Sequence, residues 1–292
     1  MRWMITDSGL GGLSVCAGLE QSLSQKNIGQ GIELLYVNAT PDDRIGYNAL
    51  KTQQERIDLF DQFLNAAYSR YSPDEIAIAC NTLSVIYDET HFASLAKVKV
   101  KGIVDAGVSL INANMGEHPD HKLIIFATET TTQAGTYPRL IATDPTAISA
   151  QECPELAHAI SNDASGKACR DLLEGYVNQA LQRFDSKPEK IFAFLGCTHY
   201  GYQAESFKTL LQEKGCSSKI LNPNDLLVEQ LVLNGQMSHP SENTPLRIKF
   251  VSRYAIPQTE IESMESYLKD TAPLTLAALH NQVVVPDLFT PQ

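Results

Sequence analysis

The run IFAFLGCTHYG (191–201) decides how the rest of the chain is read. Ile191, Phe192, Phe194 and Leu195 form an apolar stretch of strand length, and Cys197, Thr198 and His199 stand at its end. A short continuous apolar run of this kind fits a strand covered on both faces, as in a parallel sheet. A filler cysteine would sit inside the run. Cys197 sits where strand gives way to loop, so nucleophile, metal ligand, base and small buried side chain all stay open. A second stretch, EIAIACNTLSV (75–85), repeats the pattern: an apolar run, then Cys80, then the amide and hydroxyl of Asn81 and Thr82.

Outward from these two runs, short apolar segments alternate with helical patterns. Further strands are expected at Trp3–Thr6, Glu33–Val37, Val98–Val104, Lys122–Ala127 and Arg247–Val251. Thr52-Gln-Gln-Glu55 has capping-box form ahead of Ile57, Phe60, Leu64 and Tyr68, which share one helix face. Cys169, Leu172, Leu173, Tyr176, Val177, Ala180, Leu181 and Phe184 trace a second apolar stripe. Strand–helix alternation of this length predicts an α/β fold with mostly parallel sheets. WMITDSGLGG and IIFATETTTQAG also rhyme as starts of two halves. The expectation is two pseudo-symmetric α/β domains: residues 1–100 plus 211–292, carrying Asp7 and Cys80, and residues 101–210, carrying Thr131, Cys197 and His199. Ligands of open α/β sheets bind beyond the carboxyl ends of the strands. Cys80 and Cys197 would then face each other across one cleft that forms the active site.

Bulk properties narrow the function classes. At 292 residues, with 43% hydrophobic and 20% charged residues, the chain reads as globular. Lys and Arg total 23 against 34 Asp and Glu, a formal charge of −11, which argues against nucleic acid or an anionic membrane as partner. No apolar stretch reaches the roughly 18 residues of a membrane span, and Asp7 interrupts any signal-like core, so a cytoplasmic protein is expected. Six cysteines without CxxC spacing suit reduced thiols. Cys16, Cys169 and Cys216 read as fillers.

Each motif can be weighed chemically. DSGLGG (7–12) lacks the spacing of a dinucleotide or phosphate loop and reads as a strand-to-helix turn, with Asp7 and Ser8 at the cleft mouth. Asn81 and Thr82 lie where a helix would start, an arrangement that receives a carboxylate and lowers the pKa of a neighbouring thiol. Cys197-x-His199 lacks a second Cys/His pair to close a zinc site, so no metal is expected. His199 is placed to hydrogen-bond substrate or to hold a thiol's charge. TETTTQAGTY (128–137) offers hydroxyls at a strand end, among them Thr128 and Thr131, that can read a carboxylate without adding charge.

DSGLGGLSV, ACNT, the Thr-Glu-x-Thr segment with Tyr137, and LGCTHY occur in the order and near the spacing of the glutamate racemase family. The chain resembles that family, within the aspartate/glutamate racemase superfamily, from residue 3 to about 235. The resemblance implies cofactor-independent racemisation of an acidic amino acid, glutamate first, by two facing cysteines. Cys80, supported by Asp7, would serve one enantiomer, and Cys197, supported by His199, the other. Ser8, Asn81, Thr82, Thr131 and Thr198 would hold the substrate's charged groups. A family Pro-Tyr-Gly segment that touches substrate is matched to Arg44-Ile45-Gly46. The acid usual after the family's Cys-Pro is matched to Ser161 or Asn162. Gly201 stands where proline is usual, and Asn222-Pro223 replaces an Asp-Ser. The further implications are a role in D-glutamate supply for peptidoglycan and a possible homodimer. Aspartate or other amino-acid racemisation, a thiol isomerase or decarboxylase, and a non-catalytic binding homologue are the alternatives. The segment from 265 onwards carries no catalytic pattern, and Pro286 and Pro291 suggest a loose tail or an oligomer contact.

Overall fold

A computed structural model describes residues 1–42, 46–235 and 244–290. In chain order the first part runs β1 (Arg2–Asp7), α1 (Leu13–Gln25), β2 (Glu33–Asn38), α2 (Gln53–Tyr71), β3 (Glu75–Ile78), α3 (Asn81–Ser84), α4 (His91–Leu95) and β4 (Lys99–Gly102). The middle follows as α5 (Ile103–Glu117), β5 (Lys122–Ala127), α6 (Glu129–Ala134), α7 (Thr136–Leu140), β6 (Ile148–Glu152), α8 (Leu156–Asp163), α9 (Lys167–Leu181), β7 (Lys190–Gly196), α10 (Ala204–Glu213) and β8 (Ser217–Leu221). The chain ends through α11 (Pro223–Gly235), β9 (Arg247–Ser252), α12 (Gln258–Leu268), α13 (Pro273–His280) and β10 (Val283–Val284).

The strands form two sheets, one ordered β10-β9-β2-β1-β3-β4 and the other β6-β5-β7-β8. The described pairings are all parallel. The fold is therefore α/β with two parallel sheets. Their central strands are the apolar runs: in β2, β3 and β7 nearly every residue is buried. This is how a strand covered on both faces reads in sequence.

Local signals hold where they are strongest. Thr52 accepts from the Glu55 backbone N–H while the Glu55 side chain reaches back, closing the capping box that starts α2. Ile57, Phe60 and Leu64 of its apolar face are buried. Cys169, Leu173, Val177 and Ala180 are buried along α9. Differences fall at the edges. The strand expected over Val98–Val104 is β4 at Lys99–Gly102, because Gly102 caps α5 and Ile103 and Val104 already belong to the helix. Strands β6 and β8 went unread. ISAQE and SSKIL sit at sheet edges and mix polar with apolar residues, which weakens their signal.

One apolar core joins both sheets, with Trp3, Ile5 and Leu34 on one side and Phe126, Ile191 and Leu195 on the other. The chain's end is packed, not loose. Strand β10 pairs with β9, while Val285, Leu288 and Phe289 are buried in the core beneath α2. Phe289 meets Phe63 edge-on at 5.4 Å between ring centres. Burial of each such side chain contributes about 1.5–3 kcal/mol, which Pro286 does not offset; Pro291 lies outside the described residues.

Candidate active site

The carboxyl ends of β1, β3, β5 and β7 deliver Asp7, Cys80, Thr128 and Cys197 to one region between the sheets. Hydrogen bonds cross that region. Thr198 donates to Asp7 Oδ2 at 2.9 Å, Thr82 and Thr128 hydroxyls meet at 3.0 Å, and Tyr137 donates to Asn81 Oδ1 at 2.5 Å. Thr128 also donates to Thr131 at 3.1 Å and caps α6. The two walls are thus tied residue to residue.

The DSGLGG turn exists for close approach. A Cβ on Gly11 would lie 2.3 Å from Thr198 Oγ1 and 2.5 Å from His199 Nδ1, and one on Gly12 would lie 2.7 Å from Asp7 Cβ. Only glycine lets the start of α1 touch both walls. Asp7 in turn accepts the backbone N–H groups of Ser8 and Gly12.

Each thiol has a polar neighbour. Ser8 Oγ lies 3.1 Å from Cys80 Sγ, and His199 Nδ1 lies 3.8 Å from Cys197 Sγ. Both cysteines are buried, and a thiolate at Cys80 would hold the Cys197 thiol up further. Burial, reinforced by the Asp7 charge, pushes the Cys80 thiol up to about 12. Burial also raises Cys197 well above its ordinary value, with Cys80 and Asp7 adding to the effect. This overturns the expected lowering at a helix start. Helix α3 has a single turn of residues, and desolvation of a thiolate outweighs so small a dipole. Burial lifts the Asp7 carboxyl to about 7 against its three hydrogen bonds, and drops His199 to about 4 with help from His158. At neutral pH His199 is therefore a neutral imidazole.

A cavity of about 470 Å³ opens over these groups, lined among others by Ser8, Gly9, Gly46, Tyr47, Thr128 and His199. Cys80 and Cys197 do not line it but contact Ser8 and His199, which do. Among the described residues several buried polar atoms here lack a partner: Thr40 Oγ1, Tyr47 Oη, Asn81 Nδ2 and Thr130 Oγ1. Each buried unmet donor costs about 1–3 kcal/mol, and a group of them beside a cavity fits a polar ligand.

Of the residues singled out in sequence, Asp7, Ser8, Cys80, Asn81, Thr82, Thr128, Thr131, Cys197, Thr198 and His199 come together here, and Gly46 lines the cavity. Arg44 and Ile45 lie outside the described residues. Ser161 lines the cavity, whereas Asn162 is exposed and bonds the backbone of His158. Sequence reading missed Tyr47, Thr40, Cys153 and His158, which also line it. Tyr47 directly follows the Arg44-Ile45-Gly46 match, so a register moved by one residue would have found it. Tyr254 and Glu260 reach the cavity from beyond β9, where no motif pointed.

No family model matches the chain. A glutamate racemase of Lysinibacillus sphaericus is 25% identical over 258 residues, covering 87% of this chain and 89% of that protein. A glutamate racemase of Campylobacter jejuni is 25% identical over 287 residues, covering 96% of this chain and 99% of its own. The match therefore reaches into the C-terminal segment. In structure, the Francisella tularensis glutamate racemase solved with D-glutamate superposes with a TM-score of 0.69 at 22% identity, covering 92% of this chain and 93% of that one. Over most of its length the chain is thus similar to glutamate racemases at about 25% identity, and it shares the fold of a solved glutamate racemase.

Proposed function

We propose that the chain is an amino-acid racemase, an isomerase that inverts the α-carbon of an acidic amino acid, glutamate first, without an organic cofactor or metal. The observation that carries this reading is the pair of buried thiols at the ends of β3 and β7, on opposite sheets and close enough to influence each other. Inversion requires a base on one face of the α-carbon and an acid on the other. The full-length similarity to glutamate racemases supports the substrate.

In this mechanism Cys80 takes the α-proton of one enantiomer while Cys197 returns a proton to the opposite face, and the roles reverse for the other enantiomer. Both thiols rest protonated, so thiolate forms only as substrate excludes water and supplies its ammonium charge. Asp7, poised near neutrality, receives the proton that Cys80 sheds, with Ser8 bridging at the sulfur. Neutral His199 accepts or donates beside Cys197. The substrate carboxylates take the unmet donors Asn81 Nδ2, Thr40 Oγ1 and Tyr47 Oη together with the Thr131 hydroxyl, while Thr82 and Thr198 turn to the substrate by releasing Thr128 and Asp7. Fixed donors of this kind stabilise the charge that develops on the α-carbon and its carboxylate. By the sheets, β1–β4 with β9 and β10 carry the Cys80 wall, and β5–β8, which run to Leu221 and not to the expected 210, carry the Cys197 wall. The product would feed peptidoglycan synthesis.

Incubation with L- or D-glutamate, then with aspartate, in deuterated water tests the reading. The expected result is α-proton exchange with racemisation of glutamate. Folded protein that exchanges neither amino acid would sink it.

A further inference from the structure

Far from the cleft, the loop after α5 brings His118, Asp120 and His121 together. One donor atom from each lies within 4.8 Å of the others. The segment precedes β5, whose six residues separate it from Thr128 by about 20 Å at about 3.3 Å per residue. No step of the racemisation uses it.

Three features prepare the cluster. The His121 ring stacks on Phe192 at 4.5 Å and 15°, which fixes its plane, and the His118 ring centre lies 5.0 Å from it. Asp120 divides its oxygens: Oδ2 takes Lys190 Nζ at 2.8 Å, and Oδ1 faces His121 Nδ1 at 3.0 Å. The lysine thereby holds the carboxylate while leaving Oδ1 turned toward the imidazoles. The trio also sits past the last residue of α5, where the negative end of a helix favours a cation.

We infer that His118, Asp120 and His121 form a surface site for a divalent late first-row metal ion, zinc being the probe of choice. Two imidazoles and a carboxylate suit that class, whereas magnesium or calcium would want a full set of oxygens. Ligands about 2.1 Å from zinc stand about 3.4 Å apart in a tetrahedron. The His121–Asp120 contact opens by about 0.4 Å and the widest pair closes by up to about 1.4 Å, which the exposed His118 and Asp120 side chains can supply by rotation. Water completes the coordination.

Titration of the full chain with zinc chloride, followed by calorimetry and by histidine NMR signals, tests the site. To keep zinc off the cleft thiols, the experiment is run in the Cys80→Ser/Cys197→Ser background as well as in the unaltered chain. The expected result is one site in both, perturbing His118 and His121. His118→Ala, an exposed change, should weaken it by about tenfold or more, Asp120→Asn by about tenfold, and His118→Ala/His121→Ala should abolish it. Racemisation by the histidine variants should be unchanged. Zinc binding equal in the double-histidine variant and the parent, or absent from the parent, would overturn the inference.

Discussion

The two walls of the cleft carry the same thiol in different company. Cys80 stands beside Ser8 and an aspartic acid held near neutrality, while Cys197 stands beside an imidazole pushed down to about 4. Burial causes both shifts, in opposite directions, because it disfavours the charged form of each group. One wall therefore offers a carboxyl that titrates near working pH, and the other a neutral ring. Thr198 joins them by bonding Asp7 from the far side. The lesson is that two walls of related shape reach a comparable readiness for proton transfer through different partners.

Removing either sulfur is the hardest test of that symmetry. Cys80→Ser and Cys197→Ser should each lower racemisation by about 10²–10⁴, as read from the time course of optical rotation. Comparable turnover in one of them would leave a single base. Asp7→Asn should break the symmetry with a smaller loss. Below about 7 the protonated Asp7 cannot accept the Cys80 proton, so kcat/KM should rise through that pH in the parent and lose this limb in the variant. The same group gives a stability signature. Folded Asp7 keeps its proton to about 7, whereas the unfolded chain loses it near 3.8. The folded state thus binds the extra proton between these values, and stability falls as pH rises through them. Asp7→Asn should relieve most of this above pH 7, as seen in thermal unfolding across pH.

Smaller changes probe the contacts between walls. Gly11→Ala should destabilise by about 1–3 kcal/mol and reduce activity, because its Cβ would drive Thr198 and His199 from Asp7 and Cys197. Tyr137→Phe should cost about 0.5–1.5 kcal/mol by removing the bond to Asn81, measurable by denaturant unfolding.

The legible part of this molecule was its buried centre. Strands β1, β2, β3, β5 and β7 announce themselves because parallel strands covered on both faces need unbroken apolar runs. The thiols and hydroxyls at their ends were legible for the same reason, since a polar residue closing such a run has to face a cleft. What failed lay at edges and across distance. SSKIL in β8 alternates only partly, and nothing local tells an edge strand from a loop. Tyr47 and Tyr254 reach the cavity from segments with no periodic signal of their own, and Glu260 from the first turn of α12, whose apolar period marks a helix but not a site. The thiol pKa was misjudged because local sequence shows a helix start but not the burial that overrides it. The loose tail was a misreading, because Pro286 hides the packing of Leu288 and Phe289 with the residues of α2.

The central claim is that two monoprotic thiols work on opposite faces of one α-carbon. The most direct measurement is the position of deuterium at early turnover, with unlabelled L-glutamate in deuterated water and mass analysis of each separated enantiomer. Two thiols predict deuterium in newly formed D-glutamate while recovered L-glutamate still carries its original proton. Equal early labelling of both enantiomers would mean one base serves both faces and would contradict the account.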